Sequence, residues 1–209
     1  MDLPQHWPLP DHDALRDDLL TAYADPSRRY HDVRHLSEVL ERLDELAGAG
    51  CHFADLPVTL AAWFHDAVYD GERDAEERSA AWAEDALREL LPTDLVAEVV
   101  RLVLLTETHR PDADDPDGCA LSDADLAILS CGEARYTEYA AAVRAEYSHL
   151  EPEEFRAGRV QVLSGLLERE WIYATDYARS RWEAPARDNL RRELEALESA
   201  SSQSLETGV

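Results

Sequence analysis

Ionisable residues interrupt segments of the sequence that are otherwise apolar. His65 and Asp66 are adjacent in the most apolar stretch of the chain, His35 begins an apolar stripe with helical spacing, and Asp123 and Asp125 stand at the start of an aliphatic run. An unpaired charge taken out of water is costly, so these side chains need a compensating partner. Imidazole nitrogen and carboxylate oxygen are ligands that divalent transition metals accept, and so small a ligand set leaves positions open for water and substrate. The pattern predicts a divalent metal centre suited to metal-assisted hydrolysis.

Helices must bring these residues together, because apolar residues recur at three and four positions almost throughout the sequence. The helices are predicted at residues 13–23, 30–47, 58–69, 75–91, 93–108, 123–129, 134–150, 153–168 and 186–197. The helix at 58–69 is apolar on all sides, which is typical of a central buried helix. We predict an all-α, single-domain bundle over residues 1–198, followed by a small, polar and disordered tail at 199–209.

The composition limits the classes of partner. The 209 residues include 20 basic and 45 acidic side chains, with a formal net charge of −25, and every one of the 20 is arginine. So anionic a surface repels a phosphate backbone, and we expect no binding to nucleic-acid polymers. No run of about 18 apolar residues is free of charge, so we expect no membrane span. Three cysteines without CxxC spacing, and a start without a signal-peptide pattern, favour a reducing, cytoplasmic location.

The sequences around these residues resemble those of the HD-domain metal-dependent phosphohydrolases. His35, the pair His65-Asp66 and Asp125 follow one another in the order of the H…HD…D signature of that superfamily, over roughly residues 30–129. The segments 30–35, 63–70 and 123–129 are similar to a bacterial subgroup of predicted HD hydrolases of about this length, and 144–147 and 155–159 extend the likeness. The resemblance implies an HD-type helical bundle in which His35, His65, Asp66 and Asp125 bind one divalent transition metal (Mn, Fe, Co, Ni or Zn).

The resemblance also separates the roles of the two neighbouring aspartates. The family's ligand directly precedes the hydrophobic residue that starts its helix, which selects Asp125. Asp123 is then predicted to be the N-cap of that helix. Two-metal members of the superfamily use an additional histidine between the His-Asp pair and the position of His109. That histidine is missing here, which favours a single metal.

Acidic residues near the predicted ligands are candidates for catalysis. Asp70 stands four residues after Asp66 and could orient water or simply end a turn. Glu76 and Glu77 start a helix, where carboxylates favour the helix dipole without any further role, but HD enzymes often supply a carboxylate from this region. We select Asp70 and Glu77 as the catalytic candidates.

Basic residues are candidates for substrate binding. His31 stands four residues before His35, and His109 ends a predicted helix, where a cation is also favourable for the dipole alone. The arginines that could hold phosphate through paired hydrogen bonds are Arg28, Arg29, Arg34 and Arg144, although the many carboxylates of the chain compete for them. We select His31, His109, Arg34 and Arg144.

These features predict a phosphohydrolase that acts through metal-activated water on a small phosphorylated molecule, such as a nucleotide. Tyr69 stands where the guanosine-tetraphosphate hydrolases of the superfamily carry a glutamate, which argues against that specific activity. Two alternatives stay open: a two-metal (di-iron) oxygenase of the HD type, and a non-catalytic regulatory or binding module that a metal stabilises. The sequence leaves open whether the chain is a monomer or a homodimer.

Overall fold

A computed structural model of the protein describes residues 3–70 and 74–206, with side chains as far as residue 199. Within those ranges all regular secondary structure is helical, which confirms the predicted all-α fold. The helices are α1 (Asp13–Tyr23), α2 (Val33–Gly48), α3 (Asp55–Phe64), α4 (Ala75–Leu87), α5 (Thr93–Leu105), α6 (Pro116–Leu126), α7 (Glu133–Glu146), α8 (Pro152–Leu167), α9 (Asp176–Arg181) and α10 (Glu183–Glu206), with short 3₁₀ turns at Leu3–His6 and Ala127–Ser130. No helix in this part of the chain combines the length and the apolar character needed to cross a membrane.

The helix α3 lies at the centre of the bundle and packs against α2, α4, α5 and α6. Residues 60–64 are fully shielded from solvent, which confirms the predicted central helix. Pro57 lies in its first turn, where a missing N–H group costs no helical hydrogen bond. The helix ends at Phe64, earlier than the sequence predicts, so His65 and Asp66 lie in the turn that follows it.

The helix α6 begins at Pro116, seven residues before its predicted start. The Asp115 carboxylate caps it by accepting the N–H of Gly118 at 3.0 Å, and proline is favourable in the first turn. A Cβ atom at Gly118 would lie 2.3 Å from the Asp115 carboxylate and 2.6 Å from the Leu105 side chain, so any other residue here would displace one or both of these side chains. Asp123 therefore lies in the helix interior, and the prediction that it is an N-cap is wrong.

The C-terminal part of the chain is more helical than predicted. The sequence pattern does not reveal α9, which has only six residues. The last helix, predicted at 186–197, begins at Glu183 and continues to Glu206, through most of the stretch for which we predict disorder. Residues 207–209 of that predicted tail lie outside the described residues.

Candidate metal centre

The side chains of His35, His65, Asp66 and Asp125 converge where α2, the turn after α3 and α6 meet. The Nε2 atoms of the two histidines are 3.0 Å apart. Asp66 Oδ2 lies 3.2 Å from Nε2 of His35 and 3.0 Å from that of His65, and Asp125 Oδ1 lies 3.2 and 3.7 Å from the same two atoms. Atoms that bind one ion at about 2.1 Å lie roughly 3 to 3.5 Å from one another. His35, His65 and Asp66 are thus spaced as ligands of a single ion would be, and Asp125 lies beside both histidines, farther from His65 than from His35.

The surrounding backbone fixes the orientation of these ligands. His65 Nδ1 lies 2.8 Å from the carbonyl oxygen of Ala62, so this nitrogen carries a proton and the ring is held with Nε2 towards the centre. Arg28 donates to the carbonyl oxygen of Asp66 at 2.6 Å, and the Asp66 N–H donates to the hydroxyl of Tyr23 at 3.2 Å. The turn that carries two of the four ligands is therefore tied to the segments around α1.

The electrostatics of the four groups favour a cation between them. Burial alone would lower the pKa of His35, but hydrogen bonds with Asp125 and Asp66 raise it to about 10. Burial would raise the pKa of both carboxyl groups, but the neighbouring histidines, His65 foremost, hold both below their usual range. The carboxylates thus stay ionised while shielded from water, which requires positive charge at their oxygens. Protonated imidazoles or a divalent ion can supply that charge.

A cavity of about 400 Å³ opens beside this centre. Asp66 and Asp125 line it together with the polar residues His31, Glu76 and His109. Much of its remaining wall is aromatic or aliphatic and is formed by Tyr30, Tyr69, Tyr139, Val143, Tyr147, Leu150, Phe155 and Val162. Apolar walls with a few converging polar groups are typical of small-molecule sites.

Two of the predicted substrate-binding residues, His31 and His109, line the cavity. The His31 ring stacks on Tyr69 with a centroid distance of 4.0 Å. His109 Nε2 lies 3.4 Å from Asp125 Oδ2, and Nδ1 lies 3.4 Å from the hydroxyl of Ser122. Burial lowers the pKa of His109, which favours its neutral form. Both histidines therefore face the space next to the predicted ligands.

Three other predicted site residues do not line the cavity. Asp70 is exposed and accepts two hydrogen bonds, of 2.7 and 2.6 Å, from Arg78. Arg34 pairs with Glu38 of α2 and Glu138 of α7. Arg144 donates to the backbone carbonyl oxygens of residues 147 and 150, which follow α7. These positions do not fit the catalytic and substrate-binding roles predicted for them.

The structure places Glu76 at the cavity in the position predicted for Glu77. Glu76 is half-buried in the first turn of α4 and lines the cavity, whereas Glu77 is exposed. Neighbouring helical positions differ by about 100° around the axis, so an error of one residue changes the direction of the side chain. Burial raises the pKa of the Glu76 carboxyl, and the charges of Asp66 and Glu107 raise it further.

Glu146, the last residue of α7, is a site residue that the sequence does not reveal. Its side chain is only 4% exposed. Oε1 accepts the backbone N–H groups of residues 29, 30 and 31 at 2.9, 2.8 and 3.0 Å, and Oε2 lies 2.8 Å from His31 Nδ1. The carboxylate thus holds the His31 ring through Nδ1, and Nε2 is the ring nitrogen that remains to face the cavity. A contact between residues 115 positions apart has no local signal in the sequence.

We expect Glu146 to make the stability of the fold depend on pH. Burial would raise the pKa of its carboxyl, but bonds with His31 and the backbone lower it to about 2. The unfolded chain therefore binds a proton at higher pH than the native chain, and the free energy of unfolding falls as the pH falls below about 4.5. Relative to a Glu146→Gln variant, whose amide does not titrate, the wild type should lose about 2 kcal/mol more between pH 5 and pH 3. Urea unfolding at both pH values tests this, and an equal loss in the two proteins would contradict it.

A scan against protein-family models and searches of curated proteins and of solved structures found no match to this chain. The relation to HD-domain phosphohydrolases therefore stays a prediction based on the H…HD…D signature. The geometry adds an independent observation, since three of the four signature residues, His35, His65 and Asp66, form a group that could hold a metal ion, and Asp125 Oδ1 lies 3.2 Å from His35 Nε2.

Proposed function

We propose that this protein is a metal-dependent phosphohydrolase that acts on a small phosphorylated molecule. The observation that carries the proposal is the convergence of His35, His65, Asp66 and Asp125 at a cavity large enough for a small organic molecule. Two imidazole nitrogens and two carboxylate oxygens, without sulfur, suit Mn²⁺, Fe²⁺, Co²⁺, Ni²⁺ or Zn²⁺. When bound, such an ion would lower the pKa of water and polarise a phosphoryl oxygen.

Glu76 is the best-placed group to take the proton of the attacking water. Its carboxylate lines the cavity, and its raised pKa moves it towards the range in which a general base works near neutral pH. His31 donates from Nδ1 to Glu146 with Nε2 towards the cavity, so in its protonated form it can also donate from Nε2 to a phosphoryl oxygen or to the leaving group. These two residues lie on different elements that border the same cavity.

The walls of the cavity favour a substrate with an apolar or aromatic part. Tyr69, Tyr147 and Phe155 offer ring faces and edges to such a group, as a nucleotide base would use. Arg159 also lines the cavity, but its guanidinium group pairs with Glu193 at 2.8 Å. The metal and the histidines, more than an arginine, would therefore neutralise the charge of a bound phosphate.

The activity is tested by hydrolysis of a panel of phosphate esters, nucleotides included, with each of the five metals. We expect release of phosphate that depends on the metal and is removed by a chelator. Glu76→Gln should lower kcat about a hundredfold without loss of metal, because the amide cannot accept the proton.

Glu77→Gln is the matched control, since it changes the same group one residue away on the exposed side of α4. This variant should keep the activity of the wild type. If the two substitutions have the same effect, Glu76 is not the base. If no ester is hydrolysed with any of the five metals, the proposed activity is wrong.

A further inference from the structure

A second cavity, of about 590 Å³, lies next to the metal centre, and His109 lines both cavities. Three arginines, Arg110, Arg169 and Arg179, line this second cavity together with Trp171. Many arginines of the protein pair with carboxylates of nearby residues, but none of these three forms an ion pair within residues 3–70 and 74–199. Such a cluster is unexpected in a chain with a net charge of −25.

The guanidinium groups keep hydrogen-bond donors that no acceptor among the described residues uses. Arg169 donates to the carbonyl oxygens of His109 and Thr108 at 2.8 and 3.0 Å, while its Nε is buried with no acceptor among those residues. Arg179 donates from Nε to the carbonyl oxygen of Tyr173 at 2.9 Å, and its terminal N–H groups have no acceptor in the described part of the chain. Free guanidinium donors bind the oxygens of carboxylates and phosphates in pairs.

The side chains that line this cavity carry an excess of positive charge. Three arginines and the two exposed glutamates Glu168 and Glu170 leave a net charge of +1 in the lining, and the buried Asp123 carboxylate behind it interacts with Arg179. Burial and the nearby charge of Arg110 lower the pKa of Arg169. By contrast, Arg101 has carboxylate partners, and they raise its pKa. An anion in the cavity would relieve this repulsion.

The wall of the cavity is fixed before any ligand arrives. The Glu183 carboxylate accepts the N–H groups of residues 172 and 173 at 3.1 and 3.3 Å, and Asp123 accepts those of residues 174 and 175 at 2.7 and 2.8 Å. Arg187 donates to the carbonyl oxygens of Arg169 and Glu170 at 2.8 and 3.0 Å. A preformed site loses little affinity to the ordering of its own backbone.

We propose that the arginine-lined cavity binds a phosphoryl anion at a site separate from the metal centre. The anion is either free phosphate or the phosphate group of an ester. Arg110, Arg169 and Arg179 would bind its oxygens, and Trp171, which is 46% exposed and lies under the guanidinium group of Arg179, offers an aromatic face to the organic part of an ester. This inference depends on the arginine cluster and not on the proposed hydrolase activity.

Calorimetric titration at low ionic strength tests the site with two probes, inorganic phosphate and phenyl phosphate. Two metal-free samples are used, the wild type treated with a chelator and the His65→Ala variant, so that no metal at the centre can bind the anion. We expect one bound anion per chain in each of these two samples. The double variant Arg110→Gln/Arg179→Gln should raise the Kd at least about tenfold, because hydrogen bonds to two charged groups are lost.

Arg88→Gln is the control, since Arg88 is exposed and pairs with Asp85 elsewhere on the surface. Its Kd should equal that of the wild type. Tighter binding of phenyl phosphate than of phosphate, with the difference removed in Trp171→Ala, would identify an ester as the ligand, and equal binding would identify free phosphate. The proposal is overturned if neither probe binds, if the double variant binds like wild type, or if His65→Ala alone abolishes binding.

Discussion

Replacing His65 or Asp66 with alanine is expected to abolish metal binding. The wild type, purified without a chelator or a metal-affinity tag, should contain one transition metal per chain by elemental analysis, and either variant should contain none. Each substitution removes one of two predicted ligand atoms, His65 Nε2 and Asp66 Oδ2, which lie 3.0 Å apart in the centre of the cluster. Because the site is assembled only in the native state, the loss of one ligand also removes binding energy that stabilises the fold.

The same variants should lose the response of thermal stability to added metal. At a free metal concentration of 100 times the Kd, binding adds about 2.7 kcal/mol to the native state. For a chain of this size that corresponds to an increase of about 5 to 10 °C in Tm, which calorimetry or circular dichroism measures directly. Asp70→Ala is the control, because Asp70 pairs with Arg78 outside the cavity and its loss should leave the metal content unchanged.

Several outcomes would change the interpretation of the site. Unchanged affinity and one metal per chain in either alanine variant would show that the ligand assignment is wrong. Two irons per wild-type chain would favour the di-iron oxygenase alternative. A bound metal without turnover of any phosphate ester would favour a non-catalytic module that the metal stabilises.

Glu193→Ala is expected to lower the free energy of unfolding by about 3 to 5 kcal/mol. Glu193 accepts hydrogen bonds of 2.8 and 3.1 Å from the guanidinium group of Arg159, which is only 8% exposed, and one of 2.6 Å from the hydroxyl of Tyr136. Without the carboxylate, the buried guanidinium group keeps its charge but loses its partner. The penalty for this uncompensated charge is larger than the net stabilisation that an intact pair provides.

Urea unfolding of the wild type and the variant measures this loss. Glu195→Ala is the matched control, because Glu195 is exposed two residues away on α10 and its loss should change stability by no more than about 0.5 kcal/mol. The additional substitution Arg159→Met should restore part of the stability by removing the unpaired charge. A loss below about 1 kcal/mol in Glu193→Ala would show that Arg159 turns into the adjacent cavity and is solvated there.

The sequence predicts those features that depend on local pattern. The all-α class and the central position of α3 follow from helical spacing and from a run that is apolar on every side. His35, His65 and Asp66 are recognisable because each is ionisable in an apolar context, where a charge needs a partner. The same context does not distinguish Asp125 from Asp123, and only the resemblance to the HD-domain signature selects Asp125. The convergence of the four predicted ligands agrees with that expectation.

Other features depend on long-range packing, which local pattern does not encode. Glu146 approaches His31 only after α7 folds back over the start of α2. The sequence predicts the wrong role for Asp123 because the segment around Asp115 and Pro116 has the composition of a loop. In the structure this segment is the capped start of α6, so Asp123 lies in the helix interior. The choice between Glu76 and Glu77 depends on the rotational position of α4, which packing against α5 and α3 determines.

The stretch of residues 172–175 lies outside the helices, yet the carboxylates of Asp123 and Glu183 hold its four successive N–H groups. We expect the amide hydrogens at these four positions to exchange with solvent only when the carboxylates separate from them. One carboxylate belongs to α6 and the other to α10. Protection of this stretch during folding therefore requires both helices to be in place.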